Sequence, residues 1–402
     1  MKTNSDEMHN QEMLLKKIRQ SSEVFDKLAN SYEVWVPESG WLAGRRNRDK
    51  NDSKRKNLTD WSILSFLLEI DNCHYPMADS YLQYGIDGVI RIAAETLETL
   101  KNNLQSELQD QTQLDIVYLE SLLHVWKRFR QFVADHMVLA LECAKQETSD
   151  TKKKRYEKIA KICQNLTINK PNTFCEALQL FWFTYLFRSP FGAGCIGRLD
   201  QLLYPFYKHD CEMGIWDQQE AEKMLEEMFT RMNEINTGDT LRNLMLSGQD
   251  AKGNDQTNEI TYLILVAYEN TGGSEPHLNV RFHEKTPKKL RDNCINMLSS
   301  GSGQPTIYFD EAVLPAMEKA GICHEDACQY ANDGCTETVI AGKSAIVFWQ
   351  YEMVKTVELT LFGGNENPCV KPVSMKKNSI HGADFVPKTN LLIGIESKKH
   401  RS

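Results

Sequence analysis

The chain has 402 residues, 41% of them hydrophobic and 25% charged, the proportions of an ordinary folded protein rather than a disordered or fibrous one. Its net charge of -8 is spread through helical-looking segments and leaves no basic footprint for nucleic acid. No apolar run is long enough to span a bilayer. The opening "MKTNSDEMHNQEMLLKK" has neither the apolar core nor the cleavage site of a secretory signal, so a cytoplasmic location without membrane contact is expected. Eleven cysteines without that signal are expected to be reduced, most of them as small buried hydrophobes.

In chain order, residues 1–60 are polar and charge-rich, and "GRRNRDKNDSKRKN" reads as a solvated basic loop. Helical spacing begins in "GVIRIAAETLETL", where Val89, Ala93, Leu97 and Leu100 share a face. Over 115–146 the set Leu119, Leu122, Trp126, Phe129, Val133, Met137 and Ala140 draws one apolar stripe along many turns. "WDQQEAEKMLEEMFTRMNE" opens with Asp217 as N-cap and Glu220 three residues on, a capping box, ahead of an apolar face of Ala221, Leu225, Met228 and Met232. From about residue 240 the texture changes. "PHLNVRFH" alternates Leu278, Val280 and Phe282 with His277, Asn279, Arg281 and His283, a strand with one polar face. A helix over "EKTPKKLRDNCINML", a strand over "GSGQPTIYF" and a helix over "DEAVLPAMEKAG" follow, so the fold class is α/β: a helix-rich N-terminal part leading into a sheet or barrel covered by helices.

The candidate chemistry sits in "YANDGCTETVIAGKSA". Cys335 lies between Gly334 and Thr336 in a stretch with neither helix nor strand periodicity, where the backbone can turn sharply and present a side chain. Glu337, two residues on, projects to the same side. A thiol can act as nucleophile or hydrogen-atom donor and a neighbouring carboxylate can move protons, but Cys-x-Glu alone leaves an inert loop cysteine open as the bland reading. Two rivals use the same thiol. Cys323, His324, Cys328 and Cys335 fall close together, although their spacing is not that of a tight zinc knuckle, and no metal is expected. A thiolate hydrolase would need His74, His277 or His283 as its base. "AGKSA" is no phosphate loop, because Glu337 stands where the leading glycine is required.

Several segments together, in order, resemble the large catalytic domain of the glycyl radical enzymes, the pyruvate formate-lyase-like superfamily. "NCHYPMADSYLQYGIDGV" is similar to the family's early Gly-His-x-x-Pro-Asp element, with one residue missing and Cys73 in place of the glycine. "KPNTFCEALQLFWF", "GRLDQLLYPFY", "LSGQDAKGNDQTNEITYLIL", "EPHLNVRFHEKTP" and "GSGQPTIYFDEAVLPA" follow. "NDGCTETVIAGK" resembles the Gly-Cys-x-Glu signature with its trailing Gly-Lys. The resemblance implies three regions: a polar segment 1–60, a partial catalytic domain 60–371 and a divergent tail 372–402. It implies a ten-stranded β/α barrel of the pyruvate formate-lyase type, here incomplete.

It further implies that Cys335 becomes a thiyl radical that abstracts a substrate hydrogen, with Glu337 as the adjacent base and His74 in the substrate pocket. The oxidant is a protein-derived glycyl radical installed by a separate activating enzyme that uses S-adenosylmethionine, and the substrate is small and polar. Cys335 has no second cysteine beside it, so elimination or decarboxylation is expected in place of acyl transfer. Gly192 and Ala193 replace the His-Ser pair of polyol-dehydrating relatives, and an aspartate of that group is missing near Trp349. Nothing in residues 340–402 resembles the Arg-Val-x-Gly-Tyr loop that stores the radical. The expectation is a fragment of a lyase or dehydratase that is inactive alone, that takes the loop from a separate glycyl radical subunit if it works at all, and that is a homodimer if truncation spares the interface. The alternative is a non-catalytic remnant that binds a partner.

Overall fold

A computed structural model of the chain describes residues 4–45, 78–103, 110–187, 194–234, 242–272, 275–334 and 337–344. The N-terminal part is helical: α1 (Asn4–Ser31), α2 (Ala78–Asn103), α3 (Asp110–Gln146), α4 (Asp150–Ile168) and α5 (Phe174–Leu186). The stripe read along α3 is the face it buries: Leu119, Phe129, Val133 and Ala140 are fully inside, while Leu122, Trp126 and Met137 pack half-buried against the same core. Helix α2 bends at Gly85, which has φ +70° and ψ 174°. Any Cβ there would sit 2.7 Å from the Lys170 Cα and 2.8 Å from the Asn169 carbonyl oxygen, so glycine lets α2 lie against the chain that leaves α4. Helix α5 starts from a capping box in which Thr173 and Glu176 satisfy each other's backbone N–H groups.

The first 60 residues were read as polar, yet α1 and the segment after it enter the core: Leu28, Tyr32, Val36, Leu42 and Ala43 are buried. Residues 33–45 are not helical, and side chains satisfy their buried backbone. Gln179 both accepts from the Ala43 N–H (2.7 Å) and donates to its carbonyl (3.0 Å). The Trp182 indole donates to the Gly44 carbonyl at 2.9 Å, and Glu227 accepts from the Trp41 and Leu42 N–H groups.

Beyond α5 the chain alternates strand and helix: β1 (Gly194–Gly197), α6 (Leu199–Met213), α7 (Gln218–Glu234), β2 (Arg242–Ser247), α8 (Glu259–Thr271), β3 (His277–Phe282), α9 (Lys288–Ser299), β4 (Thr306–Phe309) and α10 (Asp310–Lys319). The capping box predicted for α7 is present, with Asp217 accepting from the Glu220 N–H at 2.8 Å and Glu220 accepting from the Asp217 N–H at 3.1 Å. The strands form one parallel sheet in the order β1-β2-β3-β4, the order of the sequence. A parallel sheet that adds each strand on the same side, with a helix in every crossover, is an arc of barrel wall and not a doubly wound sheet.

In register, Asn243 aligns with His277, Met245 with Asn279 and Ser247 with Arg281; Arg281 in turn aligns with Tyr308. Leu244, Leu246, Leu278 and Val280 join the hydrophobic core made with the helices. Side chains alternate along a strand, so Asn243, Met245, Ser247, Asn279 and Arg281 occupy the opposite face, which is largely polar. A one-turn helix α11 (His324–Ala327) then leads to the antiparallel pair β5 (Ala331–Asp333) and β6 (Glu337–Val339). No helix among the described residues is long and apolar enough to cross a membrane.

Candidate active site

The site is built by laying that antiparallel pair on the sheet. β5 lies against β1 and β2. Ala331, Asn332 and Asp333 are fully buried. The last aligned pair is Asp333 with Glu337, so residues 334–336 join the strands. The sequence has no strand periodicity here because each strand is only three residues long and β5 is buried on both faces. Cys335 and Thr336 lie outside the described residues, as do His74, Cys73, Gly192, Ala193, Trp349 and the tail 372–402. The structure therefore places one of the three predicted site residues, Glu337, which is half-buried at the start of β6.

Two groups on the sheet's polar face, Asn243 and Tyr308, reach the hairpin. The Asn243 amide donates to the Gly334 carbonyl at 2.5 Å while its oxygen accepts from the Asn279 amide at 2.8 Å, so β2 and β3 jointly hold the residue that precedes Cys335. Asp333 accepts from the Gly334 N–H at 2.7 Å, which helps set that turn, and Gly334 has φ +49°. Tyr308 of β4 stands beside Asn332 and Glu337. Burial pushes its hydroxyl pKa up, the neighbouring Asn332 amide opposes this, and the Glu337 charge adds to it.

The chain just before β5 is held by two arginines. Arg281 of β3 is fully buried and makes a bidentate pair with Asp310 at the start of α10, with both N–H···O distances 2.8 Å. Its third nitrogen donates to the Cys328 carbonyl at 2.9 Å, and its guanidinium lies 4.1 Å from the centre of the Tyr330 ring. The Tyr330 hydroxyl closes the circuit by donating to Asp310 at 3.1 Å. Arg198, after β1, donates to the Cys328 carbonyl at 3.2 Å and to the Ser247 carbonyl at 2.8 Å, and also bonds the Gln256 side chain. Asp200 beside it is fully buried, and burial raises its pKa against the opposing pull of Arg198. Asp200 also accepts from the Ser247 N–H and the Thr261 hydroxyl, each at 2.8 Å.

These residues were not singled out from the sequence as site residues. The available signal was the polar face of "HLNVRF", which carries Asn279 and Arg281, and the Asp-Glu opening of "DEAVLPAMEKAG". The two strand histidines were read as sharing one face, and here the structure differs. His277 stays on the polar face, where burial lowers its pKa and favours the neutral ring. His283 lies past the end of β3, with its Nε2 held by Asp255 at 2.9 Å. Of the zinc rival's residues, Cys328 is buried with its Sγ 3.6 Å from His324 Nε2, and Cys323 is exposed. A cleft of about 420 Å³ opens elsewhere, between residues 35–45 and α7. Three of its charges are engaged: Arg231 pairs with Glu227, Arg45 pairs with Glu33, and Glu227 also accepts from the backbone of Trp41 and Leu42.

Comparison with known proteins gives this geometry a context. The family model described as "PFL-like: Pyruvate formate lyase-like" matches residues 72–384. The chain is 33% identical over 263 residues to trans-4-hydroxy-L-proline dehydratase of Clostridioides difficile, a match covering 61% of this chain and 33% of that protein. It is 31% identical over 230 residues to (2S)-3-sulfopropanediol dehydratase of Klebsiella oxytoca, covering 53% of this chain and 28% of that one. In three dimensions it resembles the glycerol-bound B12-independent glycerol dehydratase of Clostridium butyricum with a TM-score of 0.68 at 20% identity, covering 82% of this chain and 50% of the other. The matches thus span about a third of the length of the curated relatives and half of the solved neighbour. The incomplete barrel expected from the sequence is the arc β1 to β4 described above.

Proposed function

The chain belongs to the pyruvate formate lyase-like family, and from that premise we propose that it is part of a glycyl radical lyase or dehydratase in which Cys335 and Glu337 carry the chemistry. The observation that supports this reading is the hydrogen bond from Asn243 to the Gly334 carbonyl, which ties the residue before Cys335 to the polar face of the barrel arc. A protein-derived glycyl radical is the family's oxidant and supplies hydrogen-atom abstraction from a thiol. The residues present suit such a group, because radical chemistry needs a site shielded from water and the strand leading to Cys335 is fully buried.

In this reading the Cys335 sulfur, as a thiyl radical, takes a hydrogen atom from a substrate C–H bond, leaving an S–H bond and a carbon radical. The two bonds are close in strength, so the transfer is nearly balanced. The Glu337 carboxylate then takes a proton next to that carbon, where it is far more acidic than in the closed-shell molecule. The leaving group on the neighbouring carbon departs with its bonding electron pair. The product radical retrieves the hydrogen atom from Cys335, which restores the thiyl. The substrate class is a small polar molecule, His74 is assigned to binding it, and a radical S-adenosylmethionine enzyme is the activating partner.

The test is anaerobic reconstitution of the chain with a separately expressed glycyl radical domain and an activase. An organic radical by electron paramagnetic resonance, with turnover abolished by Cys335→Ser and by Glu337→Gln, is the expected result. Absence of both under every pairing would favour a non-catalytic remnant. Activity in air that is lost on alkylation of Cys335 would favour a thiolate hydrolase.

A further inference from the structure

The most heavily built part of the interior is the ring of groups around Arg281. Its guanidinium meets the carboxylate of Asp310, the face of Tyr330 and the carbonyl of Cys328. Gly248 leaves room for it: a Cβ there would fall 2.5 Å from the Arg281 Nε, and Gly248 has φ +100°. A buried charge is expensive, and as a stability device an apolar group of the same shape would serve as well. What an apolar group cannot do is bind a fixed backbone direction. Arg281 turns its third nitrogen to the chain just before β5, donating to the carbonyls of Cys328 and Tyr330, and its ion-pair partner Asp310 also accepts from the Tyr330 hydroxyl.

We infer that Arg281 is the positioning residue of the hairpin that carries Cys335 and Glu337, fixing the angle at which that hairpin leaves the turn after α11 and lies on the barrel face. The inference rests on the functional reading above for its consequence in turnover, but not for its geometry. From Tyr330 to Gly334 the chain runs roughly 13 Å at strand spacing, so a tilt of about 5° at the clamp displaces the far end by about 1 Å. A misplacement of that size at a reacting group costs on the order of 100-fold in rate. Asn243 restrains the far end of this lever through one hydrogen bond to a carbonyl, while Arg281 restrains its origin through a planar fork that lysine cannot reproduce.

The test uses the full chain and two variants, Arg281→Lys and Tyr330→Phe. By hydrogen exchange with mass spectrometry, Arg281→Lys raises exchange of the amides in 331–340 by at least about tenfold and leaves α3 and α4 unchanged, the signature of local opening. Iodoacetamide labelling of Cys335 accelerates by a similar factor, while the buried Cys163 and Cys175 stay unreactive. Unchanged hairpin protection in a folded Arg281→Lys chain, or a uniform loss of protection everywhere, overturns the inference. Should Arg281→Lys fail to fold, Tyr330→Phe decides: it keeps the ring beneath the guanidinium and removes only the link to Asp310. Faster exchange confined to the hairpin supports positioning, and unchanged exchange refutes it. In the reconstituted enzyme kcat falls about 100-fold for Arg281→Lys with KM little changed; an unchanged kcat also refutes the proposal. Absence of turnover in the unmodified chain, with the exchange results intact, sinks the functional reading and leaves the positioning role standing.

Discussion

Lowering the pH from 7 to 4 unfolds this chain partly through one side chain, His136 on α3. Its ring is fully buried between Phe132 and Phe183, with ring centroids 4.5 and 5.0 Å away. Nδ1 donates to the Phe132 carbonyl at 2.8 Å, which assigns that nitrogen the proton of the neutral ring; Nε2 has no hydrogen-bond partner among the described residues. Burial lowers its pKa from 6.5 to about 4, against smaller opposing contributions from the Phe132 carbonyl and Asp135. Above pH 6.5 the ring is neutral whether the chain is folded or not, and it costs nothing. Between 6.5 and 4 only the unfolded chain takes the proton, so stability is lost as pH falls through that window. The loss is about 2 kcal/mol at pH 5 and about 3 kcal/mol at pH 4, at 1.36 kcal/mol per pKa unit. The assay is urea denaturation at several pH values for the chain and for His136→Phe, which keeps an aromatic ring in the cage and cannot be protonated. The stability difference between the two should move by about 3 kcal/mol in favour of phenylalanine from pH 7 to pH 4. Parallel pH curves for the two proteins would refute the reasoning and mean that the protonated ring is solvated in the fold.

Other expectations follow from single contacts. Asn243→Leu leaves the Gly334 carbonyl and the Asn279 amide without their partner, which should cost about 2–6 kcal/mol at about 1–3 per buried group; urea titration and faster exchange over 331–339 check it, and an unaffected hairpin would show that Asn243 does not hold it. Gly85→Ala places a methyl group against the backbone of Asn169 and Lys170 at a φ that favours glycine, and it should lower stability by about 2–4 kcal/mol. A melting temperature equal to that of the unmodified chain would mean that α2 does not pack there.

The sequence by itself determined the elements whose signal is local. The stripe on α3, the Asp217–Glu220 cap of α7 and the alternation of β3 could all be read because their geometry depends on neighbours in the chain. It missed α1 and the buried segment 33–45, whose few apolar residues enter the core only because Gln179, Trp182 and Glu227, more than a hundred residues away, satisfy the backbone around them. It placed His277 and His283 together, and the end of β3 separates them. Above all, it named Cys335 and Glu337 as candidates without the groups that hold β5 and Gly334 beside them. Asn243, Arg281, Asp310 and Tyr330 come from two strands, a helix N-terminus and the approach to β5, and only the closing of the parallel sheet brings them to one face. Their partners are fixed by strand register and by the burial of charge, which are properties of the assembled chain and not of any stretch of it.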